Sequence, residues 1–147
     1  MTIVRATVLH APVLAALRCA SFKSAWDDDT FSQMLAQPGV AAWIWEDEAP
    51  RGFILVRAAA DEAEIITIAV DPTHRRSGIG IKLLDHAMAE LQLAKIQNLF
   101  LEVAANNEAA RALYARAGFL ECGTRPGYYQ DRDARTDAVI MKRALNV

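Results

Sequence analysis

Cysteine is scarce in this chain: 147 residues contain two, Cys19 and Cys122, far apart and in no metal-ligand spacing. That excludes a disulfide-stapled scaffold and a thiolate zinc site, and leaves two reduced, partly buried thiols as the expectation. The three histidines, His10, His74 and His86, share no ligand spacing with each other or with a cysteine, so no metal is expected. No apolar run approaches the roughly 20 residues of a membrane span. The stretch from Met1 to His10 has no basic segment followed by an apolar core, so no signal peptide and a soluble, cytoplasmic protein are expected. Positive charge is not in excess either. A formal net charge of −2 argues against a protein built around non-specific nucleic-acid binding. Repeats, low-complexity tracts and flexible linkers are also missing, which predicts one domain over 1–147. With 53% hydrophobic residues that domain can bury a substantial core.

Periodicity supplies the elements. Ile3 to Leu9 alternates loosely as a first strand, and Pro12 to Phe22 sets Val13, Leu14 and Leu17 at helical spacing. Asp27 to Asp29 read as the N-cap and first-turn acids of a second helix carrying Phe31, Met34 and Leu35, ended by Pro38-Gly39. Val40 to Trp45 and Gly52 to Val56 form a predicted hairpin around the run Glu46 to Pro50, and Glu64 to Val70 is a further strand. From Ile79 an apolar stripe of Leu83, Leu84, Ala87, Met88 and Leu91 predicts a helix. Leu99 to Val103 is a strand, and Asn107 to Ala117 a helix stopped by Gly118. Phe119 to Tyr128 and Ala138 to Arg143 close the chain as strands. The order β-α-α-β-β-β-α-β-α-β-β predicts an α/β fold with a mixed, mostly antiparallel sheet. Only Glu64 to Val103 can form a parallel crossover.

The stretch richest in chemistry runs from Val70 to Gly80: a strand end, a loop with Arg75, Arg76 and Ser77, then Gly78-Ile79-Gly80 opening a helix. Glycines let backbone N–H groups point outward without a Cβ in the way, and a helix N-terminus adds partial positive charge. Together with the two arginines they make a candidate pyrophosphate site. A dinucleotide fingerprint would need a third glycine where Leu83 stands, and a Walker loop needs Gly-Lys-Ser/Thr, which is absent. A plain glycine turn with solvated arginines remains the alternative on this stretch alone.

Arg75-x-x-Gly78-x-Gly80, after the strand Ile66-Thr67-Ile68-Ala69-Val70 and before a helix, resembles the acetyl-CoA signature of the GNAT superfamily of N-acetyltransferases. The resemblance implies a sheet splayed between two strands with helices on both faces. It implies that the amides of Arg75, Arg76, Ser77, Gly78, Ile79 and Gly80 hold the CoA pyrophosphate. It also implies that the backbone of Ile68, Ala69 and Val70 pairs with the pantetheine arm, a strand addition by a ligand.

Leu101-Glu102-Val103, Asn107, Leu113-Tyr114 and Ala117-Gly118-Phe119 extend the match. They are similar to the bacterial RimI-type subgroup, the N-α-acetyltransferases of ribosomal proteins, as are Phe22, Trp26, Tyr128-Tyr129 and the late strand Ala138 to Met141. Read without the family, Glu102 is an acid between apolar neighbours, where desolvation favours a useful base, although strand alternation also permits a wet face. Tyr114 lies seven residues beyond Asn107, two helical turns or roughly 10 Å along one face, and core packing explains it equally well. The resemblance implies Glu102 as general base, Tyr114 as general acid toward the CoA sulfur, Asn107 as a cofactor contact, and a backbone N–H near Val70 on the thioester carbonyl. Neither cysteine lies in these motifs, so direct attack by the amine is preferred to an acyl-enzyme.

Implied partners are acetyl-CoA and a protein N-terminus, with a ribosomal small-subunit protein as candidate acceptor, and no metal, nucleic acid or membrane. A lysine side chain or small-molecule amine is the alternative acceptor, and a non-catalytic acyl-CoA-binding module the alternative class. Two positions depart from the subgroup: Ala104 stands where an arginine usually follows Leu-Glu-Val, and Ala25 where proline usually precedes the tryptophan. Glu64 opens the strand on which other GNAT branches carry their base; a solvated strand-end acid is the simpler explanation. Trp43 and Trp45, two apart on one strand, either line an acceptor groove or pack in the core.

Overall fold

The computed structural model of the chain describes residues 2–21, 26–131 and 134–146, without the side chains of 21, 129–131, 134 and 135. Phe22 and Ala25 lie outside the described residues, as does the side chain of Tyr129. The elements are β1 (Thr2–Arg5), α1 (Ala11–Ser21), α2 (Asp28–Ala36), β2 (Val40–Asp47), β3 (Ala49–Ala59), β4 (Glu62–Val70), α3 (Ile79–Leu93), β5 (Asn98–Ala104), α4 (Glu108–Arg116), β6 (Leu120–Asp131) and β7 (Ala134–Ala144). Their order is the one the periodicity predicts.

Local chemistry sets the boundaries. Asp27 caps α2, its carboxylate accepting from the Thr30 N–H at 2.8 Å and holding its pKa below the ordinary carboxylate value. The expected first strand stops at Arg5, because Val8–His10 forms a 3₁₀ turn in which the Thr7 N–H donates to His10 Nδ1 at 2.9 Å. The hairpin turn is tighter than expected. Asp47 pairs with Ala49, so Glu48 alone reverses the chain at φ 62°.

Seven strands form one sheet in the order β1-β2-β3-β4-β5-β7-β6, antiparallel throughout except for β4 beside β5. Alternation divides the core between its two faces. Trp43, Trp45, Ile54 and Val56 pack with Leu83, Leu84, Ala87 and Leu91 of α3, while Ala42, Ile44, Phe53 and Leu55 pack with Leu14 and Leu17 of α1 and Phe31 of α2. The two tryptophans are therefore core residues. Trp43 meets His86 edge-on at 5.6 Å, and the Lys82 ammonium lies 5.1 Å from the Trp45 ring. Both cysteines are free and exposed rather than partly buried: Cys19 sits on the outer side of α1 and Cys122 on the edge strand β6.

Gly118 ends α4 at φ 93°, with the Phe119 N–H donating to the Tyr114 carbonyl at 3.0 Å. A Cβ there would lie 2.7 Å from Arg143 Nε, which donates to the Ala117 carbonyl at 3.1 Å. Left-handed backbone costs a side-chain-bearing residue about 1–2 kcal/mol, and the displaced arginine adds to it. Gly118→Ala is expected to lower thermal stability by at least that much, readable as a shift in the urea midpoint at unchanged slope.

The strands that part are β4 and β5. They pair in parallel only from Glu62↔Asn98 to Glu64↔Phe100. Along β4 the register to β3 runs Val56↔Ile65 and then Leu55↔Thr67, so Ile66 is an extra residue, a bulge. Bulges sharpen local twist and bend the strand, and this one turns β4 away just where its pairing to β5 ends. Beyond it β4 continues to Val70 and β5 to Ala104 with a wedge between them.

Candidate active site

The wedge opens beside the loop that joins β4 to α3. Asp71 builds the turn: its carboxylate accepts from the Thr73 N–H at 3.0 Å and the Thr73 hydroxyl at 2.9 Å. Those two donors, helped by His74 and Arg51, hold the Asp71 carboxyl below the ordinary carboxylate range. Ser77 donates its hydroxyl to the His74 carbonyl. Arg76 adopts φ 67°, a left-handed conformation that is strained for a residue with a side chain. Gly78 follows at φ 84° and is the N-cap of α3, so no side chain caps the first amides of that helix. A Cβ on Gly78 would enter open space, with Lys82 Cε as nearest atom at 4.0 Å. Gly80 faces the gap between the two sides of the wedge: a Cβ there would lie 3.6 Å from Leu113 Cδ2 on α4 and 3.9 Å from Val70 Cγ2 on β4. Arg75, Arg76 and Ser77 are exposed, whereas the Ile79 side chain is buried and leaves only its backbone for a ligand. Ile68 and Val70 lean on the α3 side of the sheet and Ala69 on the α1 side. Uncapped amides, glycine at both approach points and two nearby guanidinium groups fit a pyrophosphate. The open edge of β4 fits an extended amide chain.

Across the wedge, Leu101 and Val103 are buried in the core and Glu102 turns to the opposite, open face. Of the two readings of Glu102, the wet face is the one observed, since alternation sends its apolar neighbours into the core and the acid outward. Its carboxylate is 3.2 Å and 3.5 Å from Arg125 Nη1 through Oε1 and Oε2. The Arg125 guanidinium in turn lies 4.8 Å from the Tyr128 ring. Arg125 and Tyr128 owe their place to a second irregularity. Register passes from Arg125↔Ala138 to Tyr129↔Thr136, so β6 bulges at Pro126-Gly127, pinned where the Gly127 N–H donates to Asp137 Oδ1 at 2.8 Å.

Tyr114 is 7% exposed and meets Phe119 edge-on at 5.8 Å, inside the core beneath α4. Asn107 does not share its environment. It is the exposed N-cap of α4, its Oδ1 accepting from the Ala110 N–H at 3.2 Å. Glu64 stands at the closed end of the wedge, ion-paired with its cross-strand neighbour Arg57. It borders a hollow of about 320 Å³ with Phe100 and Glu62. A hollow of about 450 Å³ between α4, β6 and β7, lined by Arg111, Phe119 and Leu120, is bordered by none of the expected site residues. The wedge itself is an open slot.

The Acetyltransferase (GNAT) family matches residues 11–119 of the chain. The chain belongs to the GNAT family of acetyltransferases. An Escherichia coli (strain K12) relative, a [ribosomal protein bS18]-alanine N-acetyltransferase, is 37% identical over 122 residues, covering 83% of this chain and 82% of its own. The crystal structure of the E. coli ribosomal-protein-S18-alanine N-acetyltransferase superposes with TM-score 0.92 at 31% identity, over 99% of this chain and 94% of that one. Arabidopsis thaliana NAA60 in complex with acetyl-CoA shares the fold at TM-score 0.82 and 18% identity, over 99% and 100% of the two chains.

This GNAT chain is therefore an acetyl-transferring enzyme, and its parted strands and glycine-opened helix are where the fold would receive a donor. Among the described residues no group of three or more His, Cys, Asp or Glu is placed to hold a metal. No described helix is long and apolar enough to cross a membrane. Trp26, the early aromatic of the subgroup resemblance, lies over the guanidinium of Arg18 at 3.8 Å and packs on Phe31. Burial lowers the pKa of that arginine. Sequence reasoning missed Arg125 as the partner of Glu102. The signal was there in Arg125-Pro126-Gly127, a turn-like tripeptide inside a strand pattern.

Proposed function

We propose that the chain transfers acetyl from acetyl-CoA to the α-amine of a protein N-terminus in the cytoplasm, with a ribosomal protein as acceptor. The observation that carries this reading is the position of Glu102. It stands two residues past the last β4–β5 pair, inside the wedge and on its open face, across from the strand that ends in the glycine-opened helix. The name of the E. coli relative supports the choice of acceptor.

Acetyl-CoA supplies an acetyl thioester. Gly78, Gly80 and the loop amides hold its pyrophosphate, with Arg75 and Arg76 adding charge, and the backbone from Ile68 to Val70 aligns the pantetheine arm. Asn107 keeps α4 in register beside that arm. Glu102 takes the proton of the acceptor ammonium, a backbone N–H near Val70 steadies the carbonyl oxygen, and Tyr114 returns a proton to the departing sulfur. A free phenol ordinarily titrates near pH 10, which makes it a proton donor of the right kind for a departing thiolate at neutral pH.

An α-amine titrates near 7.7–8.0 and a lysine near 10.4, so at pH 7 the former offers about two orders of magnitude more of its neutral form. A single carboxylate then suffices as base. The test is CoA release, followed with a thiol dye, on a short peptide carrying a free N-terminus and an internal lysine, and on the same peptide with its N-terminus blocked. Blocking is expected to remove at least nine-tenths of the rate. Equal rates on both peptides would establish lysine as the acceptor and overturn the N-terminal reading.

A further inference from the structure

One buried polar group in the wedge has no role in the reaction just described. Thr67 is 7% exposed, and its Oγ1 finds no hydrogen-bond partner among the described residues. A hydroxyl left in that state is destabilising, and native structures seldom keep one without use. Its position is fixed by register. Counting on from Glu64↔Phe100, Ile65 stands level with Leu101, the bulge absorbs Ile66, and Thr67 comes level with Glu102. The faces agree with the count. Ile65 and Leu101 pack in one core, as do Ile68 and Val103, so Thr67 and Glu102 both turn to the opposite side, where neighbouring Ala69 packs toward α1. By this count the two residues stand level on the parted strands and on the same side of the sheet, just beyond the last β4–β5 pair.

We propose that Thr67 is an acceptor-binding residue that holds the attacking amine opposite Glu102. The inference rests on the reading of Glu102 as base. An acceptor ammonium gives one proton to the Glu102 carboxylate. The neutral amine that remains has two N–H groups and one lone pair. One N–H stays on Glu102 and the other donates to Thr67 Oγ1, which leaves the lone pair aimed along the wedge at the thioester carbon. The C–N bond forms and the C–S bond breaks, and the sulfur leaves with the proton of Tyr114. The surplus proton on the new amide nitrogen passes to the resulting tyrosinate and restores the phenol, and Glu102 releases its proton to solvent on the open face. In this structure Oγ1 is enclosed, so the assignment requires that rotation about χ1 to another staggered well present the hydroxyl to the acceptor. The bulge is what makes this possible. Without the extra residue, Thr67 would fall on the α3 face and Ile66 would stand opposite Glu102.

Thr67→Val keeps the shape and removes the hydroxyl. A structural hydroxyl and an acceptor-binding one then give opposite results. Expected for Thr67→Val is a roughly tenfold loss of kcat/KM for the peptide acceptor, the size of one lost hydrogen bond to the reacting group. The KM for acetyl-CoA should be unchanged and the melting temperature equal or higher, since an orphaned hydroxyl has been removed. Thr67→Ser should restore the acceptor kcat/KM. Unchanged acceptor kinetics in Thr67→Val, or a parallel loss toward both substrates with a lower melting temperature, overturns the assignment. Glu102→Gln, measured alongside, separates the two readings: an active Glu102→Gln removes Glu102 as base whatever Thr67 does.

Discussion

Glu102→Gln should reduce acetyl transfer by about 10²–10⁴-fold, the range for losing a general base, while acetyl-CoA binds as before. The substitution changes one oxygen to an amide nitrogen on an exposed strand position. Its remaining oxygen still accepts from Arg125, whose Nη1 lies 3.2 Å away, so fold and local geometry are retained. What disappears is the capacity to take a proton. Glu64 is the competing base, and geometry disfavours it. It sits where β4 and β5 are still paired, at the closed end of the wedge, whereas Glu102 lies two residues past the last pair. Steady-state turnover of Glu102→Gln and Glu64→Gln, with acetyl-CoA affinity by calorimetry, decides between them. An active Glu102→Gln beside an inactive Glu64→Gln would transfer the role.

The second large effect is expected at the helix N-terminus. Gly78→Asp should weaken acetyl-CoA binding by about 10–100-fold, and Gly78→Asn by only a few-fold. Both side chains tolerate the left-handed backbone at φ 84° better than other non-glycine residues do, and both have open space to enter. Both can also fold over the uncapped amides of α3. They differ in one negative charge, placed within a few ångströms of the pyrophosphate, where partial solvation leaves a repulsion of roughly 1.5–3 kcal/mol. Calorimetric titration of the two variants, each checked for an intact melting transition, measures that difference. Equal affinities would mean that the pyrophosphate is held somewhere other than the start of α3.

Much of this was legible from the residues alone, and the boundary of legibility has a physical cause. Helical stripes such as Leu83, Leu84, Ala87 and Leu91 announce both an element and its buried face, because the period of the pattern is the period of the structure. The glycine-opened turn at Gly78 was equally readable, since paired glycines between a strand and an amphipathic stripe mark where a helix starts without a side-chain cap. Glu102 was not readable in the same way. Period-two alternation says that Glu102 faces away from Leu101 and Val103, but not whether that face is covered. Covering is decided by α1 and α2, elements far away in sequence. Tyr114 and Asn107 seemed matched by spacing, yet one is buried and the other caps the helix, because a cap residue lies off the helical path. Thr67 was hidden for a related reason. An unbroken alternation puts it on the α3 side, and only the register slip at Ile66 moves it opposite Glu102.

That slip also divides the protein mechanically. In strand pairing the sheet divides into two leaves, β1 to β4 and β5 to β7, joined by a spine of only three residue pairs, from Glu62↔Asn98 to Glu64↔Phe100, and by the core on the α3 side that spans both. A ligand lying in the wedge would touch both leaves at once and do the work of the missing rungs. Its binding energy is then also cohesion between the leaves, growing as RT ln(1 + [L]/Kd) with donor concentration. The amides of the spine, rather than those in contact with the donor, should register this most sensitively, exchanging their hydrogens more slowly as the wedge fills.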